Sequence, residues 1–237
     1  MKIEMILSIG IILLCTVHSQ VSSAAKVLEY LFGNQSATRA IDTSGNKLHG
    51  KFVGSAIHIA PSDPRDGSGV ALNGINDFIN VGDRPPLDLR RSYTLMGWIK
   101  YFGTNERAAE LMEKARAYWL NITMETRKPR AGGFFGKCNI RGERLKRVDG
   151  PTPIPEGEWT HLASTYNGSQ FKIFVNGKLV NTAAVSGAVC TSNTPLTVGA
   201  VFKNNITKNF VLGMIDDVRI YNNALTASQI QNLMQQP

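Results

Sequence analysis

The chain has 237 residues, 43% of them apolar, with 26 Lys and Arg against 18 Asp and Glu, a formal charge of +8 at pH 7. That length suits one sizeable core, and the apolar content excludes a disordered or low-complexity chain. The positive balance points away from cationic partners and toward acidic ones.

At the start, Lys2 precedes an apolar run from Met5 to Cys15, followed by the small residues Ser22, Ser23, Ala24 and Ala25. This is the pattern of a cleaved signal peptide over residues 1–24, too short to span a bilayer; an uncleaved anchor is the alternative. No later stretch is long and apolar enough for a membrane span, so release from the cell is expected, and residues 25–237 form one domain. Cleavage removes Lys2 and Glu4 together and keeps the charge at +8. A basic exported chain meets sulfated glycans, anionic matrix or mineral, and export sets nucleic acid aside.

Val27-Leu-Glu-Tyr-Leu-Phe32 alternates like a first strand, and Asp42 to Gly50 is a polar, glycine-bearing loop. Ser68–Gly74, Asp77–Val81 and the denser Ser92–Lys100 continue the strands, followed by Glu110–Lys114 and Ala117–Thr126. The stretch Arg127 to Arg147 is basic, with Glu143 its only acid. Trp159 to Val180 divides into three strands at Asn167-Gly168 and Asn176-Gly177, dipeptides whose tolerance of positive φ suits tight hairpins. Gly213 to Leu225 places acids inside an apolar strand, and Thr226-Ala-Ser-Gln229 is a capping box opening a short helix. Short strands separated by Gly, Asn and Pro turns predict an all-β sandwich of two antiparallel sheets with one short C-terminal helix.

Loss of Cys15 with the leader leaves Cys138 and Cys190, which an oxidising compartment would pair; two separate buried thiols are the alternative. Glycosylation sequons stand at Asn34, Asn121, Asn167 and Asn205. The Asn167 turn is the most exposed of these, and Asn121 lies in an apparent strand.

Six pieces in order resemble the laminin-G-like jelly-roll family of the concanavalin A-like lectin/glucanase superfamily. They are Leu28–Phe32, Asp42–Asn46 with His49-Gly50, and Ala71–Gly74 with Asp77–Val81, then Tyr93–Trp98, the Trp159 hairpins, and Ile215–Tyr221 closing on Ala224-Leu225. The resemblance implies a jelly roll carrying a carbohydrate- or protein-binding surface. Relatives of this fold often hold calcium near the last strand, and Asp216 is the natural ligand there, with Asp42 and Asn46 supplying further oxygens. By two-residue alternation Asp216 shares the apolar face of Met214, Val218 and Ile220. A carboxylate in that position needs either a cation or several N–H donors, and both readings stay open.

Arg141, Arg144, Lys146 and Arg147 could fork onto sulfate or carboxylate groups, or they could belong to a solvated loop. Resemblance to the family places Trp98 and Trp159 in the core and leaves Trp119 undetermined. No strand carries the alternating acids of the superfamily's glucanases, and no nucleophile relay is recognisable, so the chain is expected not to be an enzyme. The expected function is a secreted, calcium-associated or metal-free module that binds carbohydrate or an anionic extracellular polymer. The alternative is a structural matrix protein, for example of a shell.

Overall fold

Backbone hydrogen bonding along alternating apolar segments dominates the computed structural model, which describes residues 25–33, 36, 38–59, 69–103, 107–136, 138 and 143–236. The expected signal peptide and Asn34 lie outside the described residues. Among these residues the first strands are β1 (Lys26–Tyr30), β2 (Arg39–Ala40), β3 (Gly50–Val53), β4 (Ile57–Ile59), β5 (Gly69–Asn73) and β6 (Phe78–Gly82). Next come β7 (Tyr93–Tyr101), β8 (Ala108–Lys114), β9 (Tyr118–Thr123), β10 (Pro129–Gly136), β11 (Glu143–Asp149) and β12 (Thr160–Tyr166). The series closes with β13 (Gln170–Val175), β14 (Lys178–Ala184), β15 (Leu196–Val198), β16 (Val201–Lys203), β17 (Ile206–Lys208), β18 (Leu212–Tyr221) and the helix α1 (Ala227–Met234).

Two antiparallel sheets face each other. The first has the order β14-β13-β12-β7-β18-β5-β4, with β1 also paired to β18; the second runs β11-β10-β9-β8-β15-β6-β3-β2. The inward faces bury Leu95, Ile99, Leu111, Leu120, Ile122, Phe171, Ile173 and Ile215 in one apolar core. Buried tyrosines fasten the loops to that core. Tyr30 donates to the Leu48 carbonyl at 2.6 Å, Tyr101 to Ile154 at 2.9 Å and Tyr118 to Leu87 at 2.9 Å. Each of these three phenols thus keeps a hydrogen bond while its ring packs.

The hairpin turns form where the Asn-Gly dipeptides predict, with Asn176 at φ 48° and Gly177 at φ 72°. The capping box forms in full: Thr226 Oγ1 accepts from Gln229 N, and the Gln229 side chain accepts from Thr226 N. Helix α1 lies on the outside of the first sheet, where Ile230 and Leu225 pack on Met96, Ala163 and Phe174.

Four expectations need correcting. Of the two readings of the basic stretch, the solvated loop does not hold for residues 129–136 and 143–147: they form β10 and part of β11, paired in register from Arg130↔Asp149 to Gly136↔Glu143. Asp216 does not share a face with Val218 and Ile220. A bulge between Asp216 and Arg219, with Asp217 at φ 49°, shifts the alternation by one residue. Asp216 therefore pairs across from Trp98 on the outer face, while Val218 and Ile220 stay in the core. Trp98 and Trp159 are half-buried and outside the main core; Trp98 meets His161 edge-on at 5.2 Å.

Candidate binding face

The outer face of the second sheet carries three zones, laid out by strand register. On β9 and β10, Trp119 stands opposite Gly132, and a Cβ built on Gly132 would overlap the indole atoms Cζ2, Cε2 and Cη2. Three ring atoms crowding one point mean that the indole lies flat across the glycine. Glycine is required here by close approach, since any side chain would lift the ring. Trp119 is half-buried, so one indole face rests on backbone and the other is turned outward. Phe134 adjoins it at 5.9 Å between centroids, Arg116 lies 5.8 Å over the Phe134 ring, and Arg147 pairs opposite Gly132. The platform is thus two aromatic rings bordered by guanidinium groups.

The middle zone lies under the β16–β17 hairpin. Beneath this hairpin and the residues after it, Phe78, Ala200 and Phe210 make a small apolar cluster. Beside it, Glu110 is buried and accepts from Asn121 Nδ2 and Asn209 Nδ2, both at 3.1 Å. Burial outweighs these two bonds and pushes the Glu110 carboxyl up from 4.5 to about 7. Glu113 is also held well above the ordinary value, first by burial and then by the charge of Glu110, with Lys203 and Lys208 acting the other way.

Ionising Glu110 in the folded chain is therefore unfavourable. The stability tied to its proton is full below about pH 4.5 and is lost as pH rises toward 7, by about 3 kcal/mol. Urea unfolding of wild type at pH 5 and pH 8 should show this loss, and Glu110→Gln should show a smaller one, keeping the part that burial of Glu113 contributes. Equal slopes for the two proteins would refute the assignment.

At the far edge, Arg39, Lys51 and Asn80 are registered neighbours on β2, β3 and β6 and line a cleft of about 460 Å³ with His49 and Arg84.

The predicted site residues fall apart into separate roles. Asp42 Oδ1 accepts from Glu29 N and Ser44 N, and Oδ2 from Ser44 Oγ and Leu48 N, all within 3.0 Å. Asn46 turns its Nδ2 donor onto the carbonyls of Lys26 and Val27. Asp216 Oδ1 accepts from Asp217 N at 2.7 Å. This set does not fit calcium: the Asp42 oxygens already hold four donors, and Asn46 presents N–H groups where a cation needs oxygen. Among the described residues no three His, Cys, Asp or Glu side chains gather as a metal cluster. Asp42 instead pins the loop to β1 through its own hydrogen bonds.

Cys138 and Cys190 form a disulfide, with Cα atoms 5.2 Å apart. Asn167 and Asn205 are exposed, at the β12–β13 turn and the tip of the β16–β17 hairpin. Asn121 is buried, and its amide nitrogen, the atom a glycan would occupy, is committed to Glu110; it leaves the set of usable acceptors. Arg141 lies outside the described residues, and of Arg144 the backbone pairing with Phe135 is described. Lys146 pairs opposite Gly133 and Arg147 opposite Gly132, so the two side chains point to opposite faces of β11. The predicted four-cation site is therefore not one surface.

A laminin G model, described as the concanavalin A-like lectin/glucanases superfamily, matches residues 73–231. The chain belongs to the concanavalin A-like lectin/glucanases superfamily. Within curated proteins, pappalysin-1 of Mus musculus is 28% identical over 115 residues, covering 43% of this chain and 7% of that protein. The binding domain of Paraclostridial Mosquitocidal Protein 1 superposes with a TM-score of 0.68 at 16% identity, over 89% of this chain and 52% of that one. Domain 4 of AbnA, a GH43 extracellular arabinanase from Geobacillus stearothermophilus, gives 0.62 at 23% identity, over 89% and 98%. The receptor binding domain of botulinum neurotoxin C/D mosaic serotype gives 0.64 at 17%, over 89% and 51%. This chain spans about half the length of the two toxin domains, and at these identities the likeness carries the jelly-roll fold alone. A disulfide within this superfamily fold fits an extracellular domain, and among the described residues no helix is long and apolar enough to cross a membrane.

Proposed function

We propose that this protein is a secreted, non-catalytic module that binds carbohydrate on the outer face of its second sheet. The observation that carries this reading is the Trp119 indole laid flat on Gly132 with its other face turned outward. A flat aromatic surface excludes water from the apolar C–H face of a sugar ring, and the neighbouring Arg147 and Arg116 can donate to hydroxyl or acidic groups at the ring edge. Support also comes from similar folds: AbnA domain 4 was solved in complex with arabinotriose. On the same face Glu110 is buried and accepts from Asn121 Nδ2 and Asn209 Nδ2, which supports a holding role for this acid.

The test is a glycan panel read with wild type, Trp119→Ala and Gly132→Val. Wild type should bind at least one glycan. Trp119→Ala should weaken that binding by about tenfold, an aromatic contact of on the order of 1–1.5 kcal/mol, without changing thermal unfolding. Gly132→Val should lift the indole and weaken binding as much. No binding across the panel, or unchanged affinity in Trp119→Ala, would overturn the proposal.

A further inference from the structure

We infer that the cleft at the β2–β3–β6 edge is an anion subsite for the sulfate or carboxylate groups of an acidic glycan. Arg39 and Lys51 are directly opposite one another on β2 and β3, and Lys51 is opposite Asn80 on β6. Their side chains project to the outer face, because Val53, two residues after Lys51, packs on the outer cluster of Phe78 and Phe210. Arg84 enters from the loop after β6, completing the wall of the 460 Å³ cleft.

Asn80 and His49 in this wall are set to donate, as the cations Arg39, Lys51 and Arg84 are. Asn80 Oδ1 accepts from Gly82 N at 2.9 Å, which leaves its Nδ2 as the group available to a ligand. His49 Nδ1 accepts from Asp42 N at 3.0 Å, so the ring proton is on Nε2. The nearest acid in sequence, Asp83, is bound instead to the Lys114 ammonium at 2.5 Å. Among the described residues neither Arg39, Lys51 nor Arg84 makes an ion pair.

Like charges directly opposite on adjacent strands destabilise a sheet. A charged edge strand that resists aggregation would account for Arg39 alone. It does not account for Arg84 and His49 converging from two loops on the same volume. An oxyanion lodged between the guanidinium groups and the ammonium relieves the repulsion and satisfies the donors at once.

The site is distinct from the aromatic platform. Four strand spacings, roughly 19 Å, separate Lys51 on β3 from Trp119 on β9, and the β16–β17 hairpin lies between. The assignment extends the carbohydrate reading to an acidic ligand but does not depend on Trp119.

The experiment measures binding of three probes at low salt: a heparin octasaccharide, its fully desulfated form, and dextran sulfate. The proteins are wild type, Arg39→Gln, Lys51→Gln and Arg84→Gln singly and combined, Lys146→Gln/Arg147→Gln, and Trp119→Ala. Each single substitution in the cleft should weaken heparin binding by about three- to tenfold and the triple by about a hundredfold or more, with thermal unfolding unchanged. Loss with dextran sulfate but not with the desulfated probe assigns the subsite to sulfate; loss with the desulfated probe alone assigns it to carboxylate. Trp119→Ala should weaken all three probes by similar factors, whereas the cleft variants discriminate among the probes by their acidic groups, so failure of the platform and failure of the cleft are separately visible. The inference is overturned if the triple variant binds within twofold of wild type, if Lys146→Gln/Arg147→Gln abolishes binding instead, or if polyglutamate of equal charge competes as well as the sulfated probe.

Discussion

Replacing Arg219 with methionine is expected to destabilise the chain by about 3–5 kcal/mol, more than any other single side-chain change considered. Arg219 is 2% exposed, yet its Nε lies 3.2 Å from Glu29 Oε1, its Nη1 3.6 Å from Asp217 Oδ2, and Nη1 donates to the Leu233 carbonyl at 2.9 Å. One guanidinium thus joins β1, the bulge of β18 and the end of α1. Glu29 shows the balance of forces. Burial pushes its carboxyl up, but bonds from Lys26 and Thr43 and the charges of Lys26 and Arg219 outweigh this and hold it below the ordinary value.

The Arg219→Met substitution keeps the packing volume but leaves Asp217 and Glu29 without their shared cation. Lys26, at the rim, still reaches Glu29 at 2.7 Å. Restoring neutrality by adding Glu29→Gln and Asp217→Asn to Arg219→Met should recover most of the loss, because the cost lies in uncompensated buried charge and not in a missing contact. Asparagine is chosen for the second site because it tolerates the φ of 49° at that position. Denaturant midpoints of the single and triple variants decide the matter. A single variant within 1 kcal/mol of wild type would show that the network contributes little.

That network was only half legible in the sequence, and the reason is physical. The hairpins at Asn167 and Asn176 and the helix start at Thr226 depend on contacts within four residues, so local chemistry predicts them and the structure agrees. The face of Asp216 depends on a bulge one residue long, which reverses every inference from alternation beyond it. Trp119 could not be assigned because its partner, Gly132, is meaningful only once β9 and β10 are in register. The basic stretch resembled a loop since its glycines and charges suppress β propensity; pairing with β9 supplies what propensity lacks. The cleft residues Arg39, Lys51 and Arg84 carry no motif at all. They meet because β2, β3 and β6 are adjacent in the sheet.

Removing the Cys138–Cys190 disulfide is expected to cost about 4 kcal/mol and to loosen the binding face as well. The bond closes a 52-residue separation, and in the chain-entropy model a loop of that size restrains the unfolded ensemble by about that amount. Its position gives it a second effect. Cys190 N donates to the Phe134 carbonyl at 2.8 Å, Gly136 N donates to Ala188 at 2.9 Å, and Phe135 bridges Val189. The linked segment therefore extends the hydrogen bonding of β10 at the strand end that carries Phe134, the ring beside Trp119. If the covalent bond acts only on the unfolded chain, Cys138→Ser/Cys190→Ser should lower the unfolding midpoint and leave glycan affinity in the folded protein unchanged. If it also holds β10 in place, affinity should fall by a few-fold at temperatures well below that midpoint, and amide exchange at Phe134 to Gly136 should quicken. The second outcome follows from the hydrogen bonds just named, which hold the Phe134 backbone through the segment that the disulfide anchors. A double variant as stable as wild type would remove the premise of both.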